Sequence, residues 1–438
     1  MDNRPGHGSS DGNSGSDGSS GTGGAGGSER SSAGRSGPAW AAPPYVSLPR
    51  GGGAVRGIDE KFSVNPANGT ATLAVPIGTS PGRGGSAPQL SISYDSGSGN
   101  GPFGLGWHLS IPSVTRKTDK GLPRYSDGEG SDVFILSSAE DLVPVLNGAE
   151  GTWQRVTTRR TVGGTDYEVE AYRPRIEGLF ARIERWHNTA TGDTHWRSIS
   201  KDNVTTLYGS SSESRIADPE DPSRVFTWLI CESYDDKGNA SLYQYQSEDE
   251  KRVDLAQASE ANRTGKSRSA NRYLKRIKYG NPTPREPGED LTQRTDWLFE
   301  VVCDYGEHDA DAPAPEAARE WLCRHDPFSS YRAGFEVRTY RLCQRILMFH
   351  HFPAEQGIGR DCLVRSTDFT YQSLRDNPDD LRQGHPVASK IASIGQTRYK
   401  RTDAGSYLKA SLPPLEFEYS EADIQNEVRE VDAGSLEN

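Results

Sequence analysis

The chain of 438 residues contains no long hydrophobic run. A membrane-spanning helix needs roughly 18 to 20 mostly apolar residues in succession, and no stretch approaches that length. The first residues also lack the apolar core of a secretory signal peptide. We therefore expect no membrane span, and any export of the chain would have to follow a non-classical route.

Cysteine is scarce, with five residues and no C-x-x-C pair. The odd number and wide spacing argue against an extracellular disulfide framework and predict reduced, buried thiols. A zinc site that combines these cysteines with His325, His350 or His351 is the alternative, but ligand pairs of the usual spacing are missing. The cysteines are Cys231, Cys303, Cys323, Cys343 and Cys362.

An excess of positive charge is also missing. The 50 Lys and Arg residues are outnumbered by 61 Asp and Glu residues, which gives a net charge of -11. Non-specific binding to nucleic acid requires clustered positive charge. The composition therefore predicts that nucleic acid is not a partner of this chain.

Apolar residues make up only 33% of the chain, partly because 48 residues are glycine. Eighteen Tyr, twelve Phe and eight Trp nevertheless supply enough material for a core. Residues 1–44 are rich in Gly and Ser and are predicted to form a disordered tail. We expect one mainly β domain over 45–420, with an exposed, polar and mobile excursion near 248–271, and an acidic tail over 421–438.

Short segments rich in β-branched and aromatic residues alternate with clusters of Gly, Asn, Asp and Pro from Tyr45 onward. This texture is typical of antiparallel strands joined by tight turns. Strands are predicted at Gln89–Tyr94, Trp107–Thr115, Asp132–Leu136, Tyr167–Tyr172, Phe180–Trp186, His195–Ser200, Val204–Tyr208, Val225–Tyr234, Leu242–Gln246, Tyr273–Tyr279, Trp297–Tyr305, Phe335–Phe349, Leu363–Tyr371 and Leu415–Tyr419.

Helical patterns are few. Pro315–His325 begins with a proline and continues with Glu, Ala, Arg, Trp and Leu, which predicts a short helix. A weaker helical pattern lies near Ser373–Gln383. The sequence therefore indicates a mainly β fold with few short helices.

Two turns are distinctive. The segment Gly101–Pro112 combines three glycines, two prolines and Trp107, which predicts a bend that leads into a half-buried strand anchored by a buried tryptophan. The segment Tyr234–Asn239 has the order Tyr-Asp-Asp-Lys-Gly-Asn. Here the first Asp can close a turn through its side chain, whereas Gly and Asn tolerate positive φ.

Several segments in order resemble the N-terminal domain of the Salmonella virulence plasmid B protein family, which also opens the B component of insecticidal toxin complexes. The Tyr234–Asn239 turn is in addition similar to the Tyr-Asp-x-x-Gly-Asn turn of Rhs/YD-repeat proteins. The resemblance covers most of the chain from about Ser47 to Tyr419. The matching segments are Leu48–Ala54, Gly57–Phe62, Ser63–Thr70, Leu90–Gly97, Gly101–Pro112, Tyr273–Asn281, Phe335–Cys343 and Met348–Phe352.

Candidate catalytic residues are few. Glu416 and Glu418 form the Glu-x-Glu pair that ADP-ribosyltransferases use, and some relatives in the family carry such an enzyme as a separate C-terminal part. The chemistry also needs an arginine strand and a Ser-Thr-Ser segment, and the sequence shows no convincing partners for the pair. Because Leu415–Tyr419 alternates as a strand, both glutamates are predicted to face solvent.

Candidate ligand residues are equally isolated. Asp127, Glu129 and Asp132 could offer oxygen ligands to calcium, but they lack an EF-hand or nonapeptide pattern and favour a solvated turn. His308-Asp309 and His325-Asp326 hint at paired metal ligands, but they sit in different contexts, and surface or capping roles are far commoner. Adjacent His350 and His351 should point to opposite faces of a strand and so cannot easily bind one metal ion. Gly51–Gly53 has no flanking strand and helix for a phosphate loop. We therefore predict no catalytic, cofactor-binding or metal-binding residue, and no cofactor.

The resemblance implies a large curved antiparallel sheet of many short strands, shell-like and related to Rhs/YD proteins. It also implies a non-catalytic structural and assembly module of a toxin-complex B-type virulence protein, which forms part of a β-shell that encloses or presents a toxin. The implied partners are a C-type Rhs protein and an A-type pore-forming component. The implied location is extracellular, or cytoplasmic before release.

Two alternatives remain open at this point. The chain could be a surface- or glycan-binding module that uses exposed aromatics such as Trp153, Trp186 or Trp196, although large aromatic side chains more often belong to the core. An ADP-ribosyltransferase toxin is the less favoured alternative.

Overall fold

The computed structural model describes residues 60–64, 71–137, 140–149, 151–176, 178, 180–372 and 388–419. The predicted N-terminal tail, the weak helix near Ser373–Gln383 and the predicted acidic tail lie wholly or largely outside the described residues. No helix in the described part is long and apolar enough to cross a membrane.

The described residues form 28 short strands, twice the number of strand segments that the alternating pattern predicts. The first strands are β1 Lys61–Val64, β2 Ala71–Ile77, β3 Leu90–Asp95, β4 Asn100–Gly101, β5 Gly104–Leu105, β6 Trp107–Leu109, β7 Ser113–Arg116, β8 Phe134–Leu136, β9 Glu140–Pro144, β10 Leu146–Asn147, β11 Gln154–Arg155 and β12 Thr157–Val162. They are followed by β13 Thr165–Pro174, β14 Arg182–Asn188, β15 Thr194–Ile199, β16 Thr205–Tyr208, β17 Arg215–Ala217, β18 Val225–Tyr234, β19 Ala240–Ser247 and β20 Arg272–Tyr279. The last are β21 Phe299–Asp304, β22 Phe328–Ser330, β23 Val337–Thr339, β24 Arg345–Phe352, β25 Gly359–Tyr371, β26 Ile391–Arg401, β27 Tyr407–Ser411 and β28 Leu415–Glu416.

Helical structure in the described residues is limited to one short α-helix and five 3₁₀ turns. The helix α1 spans Gly265–Arg268, and Thr264 caps its N-terminus by accepting a hydrogen bond from Ser267. The 3₁₀ turns are Arg83–Gly85, Asp127–Glu129, Ser212–Ser214, Ala258–Glu260 and Leu291–Gln293.

Eight strands close into a ring. Each strand pairs antiparallel with the next in the order β13, β14, β15, β16, β18, β7, β8 and β9, and β9 returns to β13 through Pro144 and Tyr172. The rings of Phe134 on β8 and Trp196 on β15 lie 4.9 Å apart although their strands are on opposite sides of the circle. The interior is therefore filled with aromatic side chains, as in small closed sheets.

A second part of the same sheet extends from β18. The strands β19, β20, β21, β24, β25 and β26 follow one another in pairing order, and β27 and β28 both pair with β26. A separate sheet of β1, β2, β3 and β6 contributes Val75, Ile92 and Trp107 to a core shared with side chains of β20, β21, β24, β25 and β26. This layered core is the second hydrophobic centre of the described part.

Trp107 anchors the bend, as the sequence predicts. Its side chain is 2% exposed, and its indole nitrogen donates a hydrogen bond to the hydroxyl of Tyr419 over 2.9 Å. Gly106 has φ +79°, and a Cβ there would lie 2.5 Å from the ring of Tyr94. The glycine is therefore required by both the backbone conformation and the close approach.

The predicted strand Trp107–Thr115 is two strands in the structure. It breaks at Ser110–Pro112 because β6 belongs to the small sheet, whereas β7 belongs to the ring. The predicted strand Phe335–Phe349 also breaks, into β23 and β24. Alternation along the chain does not reveal that a strand changes its partner sheet, so both breaks were missed.

The predicted helix at Pro315–His325 is wrong. The segment is irregular, and its backbone N–H groups donate to carbonyl groups in the turn that follows β21. Ala318 donates to the carbonyl of Glu307 over 2.9 Å, and Leu322 donates to that of Tyr305 over 3.1 Å. Buried Trp321 packs in the core that these contacts create. Tertiary hydrogen bonds thus replace the helical ones that local propensity favours.

The segment 248–271 does lie between two strands, β19 and β20, as predicted. The predicted exposure is wrong at Glu248, Glu260 and Arg268, which are 1%, 3% and 4% exposed. Each of these charged groups has a partner of opposite charge, which offsets the cost of burial.

Candidate functional site

The described part contains a pocket of about 390 Å³ beside β19 and β20. Lys275 and Arg276 of β20 line one side, and Glu307 and His308, in the turn that follows β21, line another. Trp321 comes from the irregular segment that the sequence predicted as helix. The pocket therefore depends on the packing of that segment against the turn.

Two cations of β20 reach acidic partners in this region. The Nζ atom of Lys275 donates to the carbonyl oxygen of Cys303 over 2.7 Å and contacts the carboxylate of Glu307. Burial lowers the pKa of Lys275 to about 8. Arg276 pairs with Glu300 over 3.0 Å and with Glu316 over 2.7 Å.

Three buried potential ligands meet at the end of β21. Asp304, Glu307 and His308 are at most 3% exposed, and one ligand atom from each lies within 4.8 Å of the others. Desolvation by burial lowers the pKa of His308. Two carboxylates and one imidazole are ligand types that suit a divalent cation.

The members of the two His-Asp pairs, His308-Asp309 and His325-Asp326, lie in different surroundings in the structure. Asp309 is exposed, and its side chain closes a turn by accepting hydrogen bonds from the backbone of Asp311 and Ala312. His325 is exposed, whereas Asp326 binds Arg324 over 2.8 Å.

His350 and His351 have separate partners, as expected from their adjacent positions in a strand. His350 Nε2 lies 2.7 Å from the hydroxyl of Ser80. His351 lies between two carboxylates, with Nε2 3.2 Å from Glu300 and Nδ1 3.1 Å from Asp361.

The acidic loop considered for calcium is occupied by arginines. Arg116 binds Asp132 over 2.7 Å and Asp127 over 2.8 Å, and Arg185 binds Asp127 over 2.6 Å. The side chain of Glu129 lies outside the described residues. The two aspartates are therefore part of an ion-pair network rather than of a purely solvated turn.

The remaining sequence candidates divide into exposed and buried positions. Glu416 and Glu418 are both exposed, as the strand pattern predicts. Trp186 and Trp196 are 4% and 0% exposed, whereas Trp153 is 58% exposed. The five cysteines are free thiols, and all except Cys323 are buried.

The edges of the large sheet are the other candidate site. Within the described residues β27 pairs with β26 alone, and four of its five residues are exposed, including Leu408 at 63%. At another edge β12 pairs, in the described part of the chain, with β13 alone. Unpaired backbone groups on such strands are a template for pairing with another chain.

Sequence reasoning missed two clusters of buried charged residues. The cluster of Asp304, Glu307 and His308 was hidden because His308 was considered only with its neighbour Asp309. The signal that could have found it is the run Asp304-Tyr305-Gly306-Glu307-His308, which places three ligand types around a glycine at the end of a predicted strand. The pairing of Glu248 with Arg341 joins positions 93 residues apart and leaves no local signal.

The fold and these edges define a β-rich module with a closed ring, a layered core and open strand edges. The family model of the Salmonella virulence plasmid 65kDa B protein matches residues 65–352. The chain belongs to this family, which confirms the resemblance seen in the sequence.

Individual relatives agree with the assignment. The Mono(ADP-ribosyl)transferase SpvB of Salmonella typhimurium is 38% identical over 329 residues, which are 73% of this chain and 52% of that protein. The chain thus spans about half the length of the curated relatives it matches. The N-terminal domain of effector protein SpvB from Salmonella typhimurium strain LT2 matches with 35% identity and a TM-score of 0.63, over 74% of this chain and 100% of that domain.

A toxin-complex structure also has this fold. The crystal structure of TcdB2-TccC3 matches 86% of this chain and 17% of that chain, with 33% identity and a TM-score of 0.70. The predicted mainly β fold with a large many-stranded sheet is confirmed. The chain is therefore a toxin-complex-related module that corresponds to the N-terminal part of SpvB.

Proposed function

We propose that the chain is a non-catalytic structural and assembly module of a toxin-complex B-type virulence protein. In this proposal residues 45–420 form one β domain, which contributes part of a β-shell that encloses or presents a toxin. The observation that supports it most is the overlap of 86% of the chain with TcdB2-TccC3 at 33% identity. The chain shares both its fold and a third of the aligned residues with that structure, so the proposal does not rest on a common fold alone.

The exposed sheet edges supply a physical means of assembly. The backbone of β27 has hydrogen-bond partners on one side only within the described residues, and a further strand could continue the sheet there. The proposed partners are a C-type Rhs protein and an A-type pore-forming component. The proposed site of action is extracellular.

The glycan-binding alternative loses most of its support from the positions of the tryptophans. Trp186 and Trp196 are buried, so they are not available to stack on a sugar. Trp153 alone remains exposed among the three aromatics considered.

The transferase alternative concerns the Glu416 and Glu418 pair. This chain covers only 52% of the length of the relative named as a mono(ADP-ribosyl)transferase. The solved SpvB structure that matches this chain is an N-terminal domain. We propose that the activity named for that relative does not reside in the described residues of this chain.

The experiment that tests the proposal is the mass of the purified chain in solution, alone and mixed with a C-type Rhs protein encoded beside it. We expect a complex of defined stoichiometry, and a chain that stays monomeric with every such partner would contradict the assembly function. The same samples, given labelled NAD and a cell extract, should transfer no ADP-ribose. Transfer that disappears when both glutamates are replaced (Glu416→Gln with Glu418→Gln) would instead establish the enzyme.

A further inference from the structure

The cluster at the end of β21 has the composition of a metal site. Asp304 is the last residue of the strand, and Glu307 and His308 follow in the turn that folds back toward β20. All three side chains are buried, so their polar atoms need partners other than bulk water. The turn thus places two carboxylates and one imidazole together away from solvent.

The imidazole of His308 is held with one nitrogen unused. Its Nδ1 atom lies 2.8 Å from the carbonyl oxygen of Ala314, and because a carbonyl can only accept, Nδ1 carries the hydrogen. Its Nε2 atom is buried and has no hydrogen-bond partner in the part of the chain that the structure describes. Metal-binding histidines are typically oriented in this way, with the other ring nitrogen donating to a backbone carbonyl.

We propose that Asp304, Glu307 and His308 form a binding site for a divalent transition metal ion of the zinc type. His308 Nε2 lies 3.7 Å from Glu307 Oε1. Ligands about 2.0 to 2.2 Å from a tetrahedral zinc ion are roughly 3.3 to 3.5 Å apart, so a small movement of these two groups suffices. Glu307 and His308 line the pocket, which leaves the fourth coordination position open to water or a small ligand.

The donor set favours zinc over the alkaline-earth cations. Magnesium and calcium prefer six or more oxygen ligands, whereas imidazole nitrogen with one or two carboxylates suits zinc. A buried site with three protein ligands also resembles zinc sites that keep one position open.

The two carboxylates already have cationic partners, with which a metal ion would compete. Arg345 binds Oδ2 of Asp304, while Oδ1 accepts a hydrogen bond from the backbone of Gly306 over 2.7 Å. Lys275 contacts the same Glu307 oxygen that lies nearest His308. A metal ion bound to Glu307 must therefore displace the Lys275 ammonium, whose side chain lines the pocket and has room to move into it.

The test is a competition titration of Zn²⁺ between the metal-free chain and a chromophoric chelator. We expect one equivalent bound per chain, and at least about tenfold weaker binding for His308→Gln. His351→Gln is the matched control, because His351 also lies between carboxylates but has both ring nitrogens engaged. His351→Gln should bind Zn²⁺ as the unmodified chain does. Binding by His308→Gln equal to that of the unmodified chain, or no detectable binding by the unmodified chain, would overturn the proposal.

A second variant keeps the test valid if His308→Gln folds poorly. Lys275→Met removes the competing cation, so Zn²⁺ should bind more tightly than to the unmodified chain and should raise the unfolding temperature more. Unchanged or weaker binding would overturn the assignment, since a merely structural cluster gains nothing from this substitution. Co²⁺ loaded in place of Zn²⁺ should show no thiolate charge-transfer band, and such a band would assign the metal to the cysteines instead.

Discussion

His195 shows how the aromatic packing of the closed ring affects a titratable residue. Its imidazole stacks on Trp186 with centroids 5.7 Å apart, and Tyr167 meets it edge-on at 5.6 Å. Burial lowers the pKa of His195 to about 4, and the nearby charges of Arg215 and Arg197 act in the same direction. The folded chain therefore resists protonation at a position that titrates near pH 6.5 when the chain is unfolded.

This shift predicts acid sensitivity with a definite sign. Between pH 6.5 and 4 the unfolded state binds more protons than the folded state, so the free energy of unfolding decreases as the pH falls. Relative to neutral pH, the loss from His195 alone should be about 2 to 3 kcal/mol at about pH 4.5. The free energy of unfolding, measured with urea, should differ less between neutral pH and about pH 4.5 for His195→Gln than for the unmodified chain. The exposed control His325→Gln should keep the full difference. An identical pH dependence for both variants would contradict the pKa shift.

Some residue-level features were predictable because they depend on near neighbours in sequence. The burial of Trp107 follows from its alternation with His108, and the turn at Tyr234–Asn239 follows from its residue types. Asp235 accepts hydrogen bonds from the backbone of Lys237 and Asn239 over 2.9 Å each, and Gly238 has φ +73°, as the sequence predicts.

The segment 248–271 is attached to the rest of the fold by a buried clasp of Glu248, Glu260, Arg338 and Arg341. Glu248 accepts a hydrogen bond from Arg341 over 2.8 Å, and Glu260 accepts one from Arg338 over 2.8 Å. The Arg341 guanidinium is fully buried, and it also donates to the carbonyl oxygen of Lys251 over 2.9 Å. The clasp therefore fixes both the start and the middle of a segment that is otherwise largely polar.

Removal of one clasp partner should loosen this segment before the rest of the sheet. Arg341→Met leaves Glu248 buried without its cation, which should lower the free energy of unfolding by roughly 3 to 5 kcal/mol. Limited trypsin digestion should then cut within 248–271, while the unmodified chain resists. The surface variant Arg332→Met is the control, because Arg332 is exposed and donates hydrogen bonds to the hydroxyl of Thr118. Equal stability and equal digestion of the two variants would contradict the role of the clasp.

At the level of elements, the sequence predicted many of the strands. It did not predict that residues 315–325 are irregular, and it did not predict the pocket. Strands such as β18 match the predicted range because alternation and turn residues are local signals. Residues 315–325 form no helix because backbone N–H groups of this segment donate hydrogen bonds to the carbonyl groups of a turn after β21. The sequence alone does not reveal that this turn lies beside the segment. Lys275 and Glu307 meet across 32 residues, so the electrostatics of the pocket follow from strand pairing rather than from spacing.

For the molecule as a whole, we propose that assembly uses the open edge of the large sheet at β27. The N–H of Leu412 donates to Gln396 over 3.0 Å on the β26 side. Because donors alternate along an antiparallel strand, the N–H of Lys409 should point to the open side of β27. Proline at position 409 removes that donor and leaves the pairing with β26 intact, since edge strands tolerate proline where the N–H faces outward.

The most direct test of the assembly claim is the dissociation constant of the complex with a C-type Rhs protein for Lys409→Pro and Lys409→Ala. Both variants lose the charge and should keep the unfolding free energy of the unmodified chain. We predict near-normal binding for Lys409→Ala and at least about tenfold weaker binding for Lys409→Pro, because only Lys409→Pro removes a backbone donor from the edge. Equal binding by the two variants would show that the partner does not extend the sheet at β27, and the absence of any complex would contradict the assembly function itself.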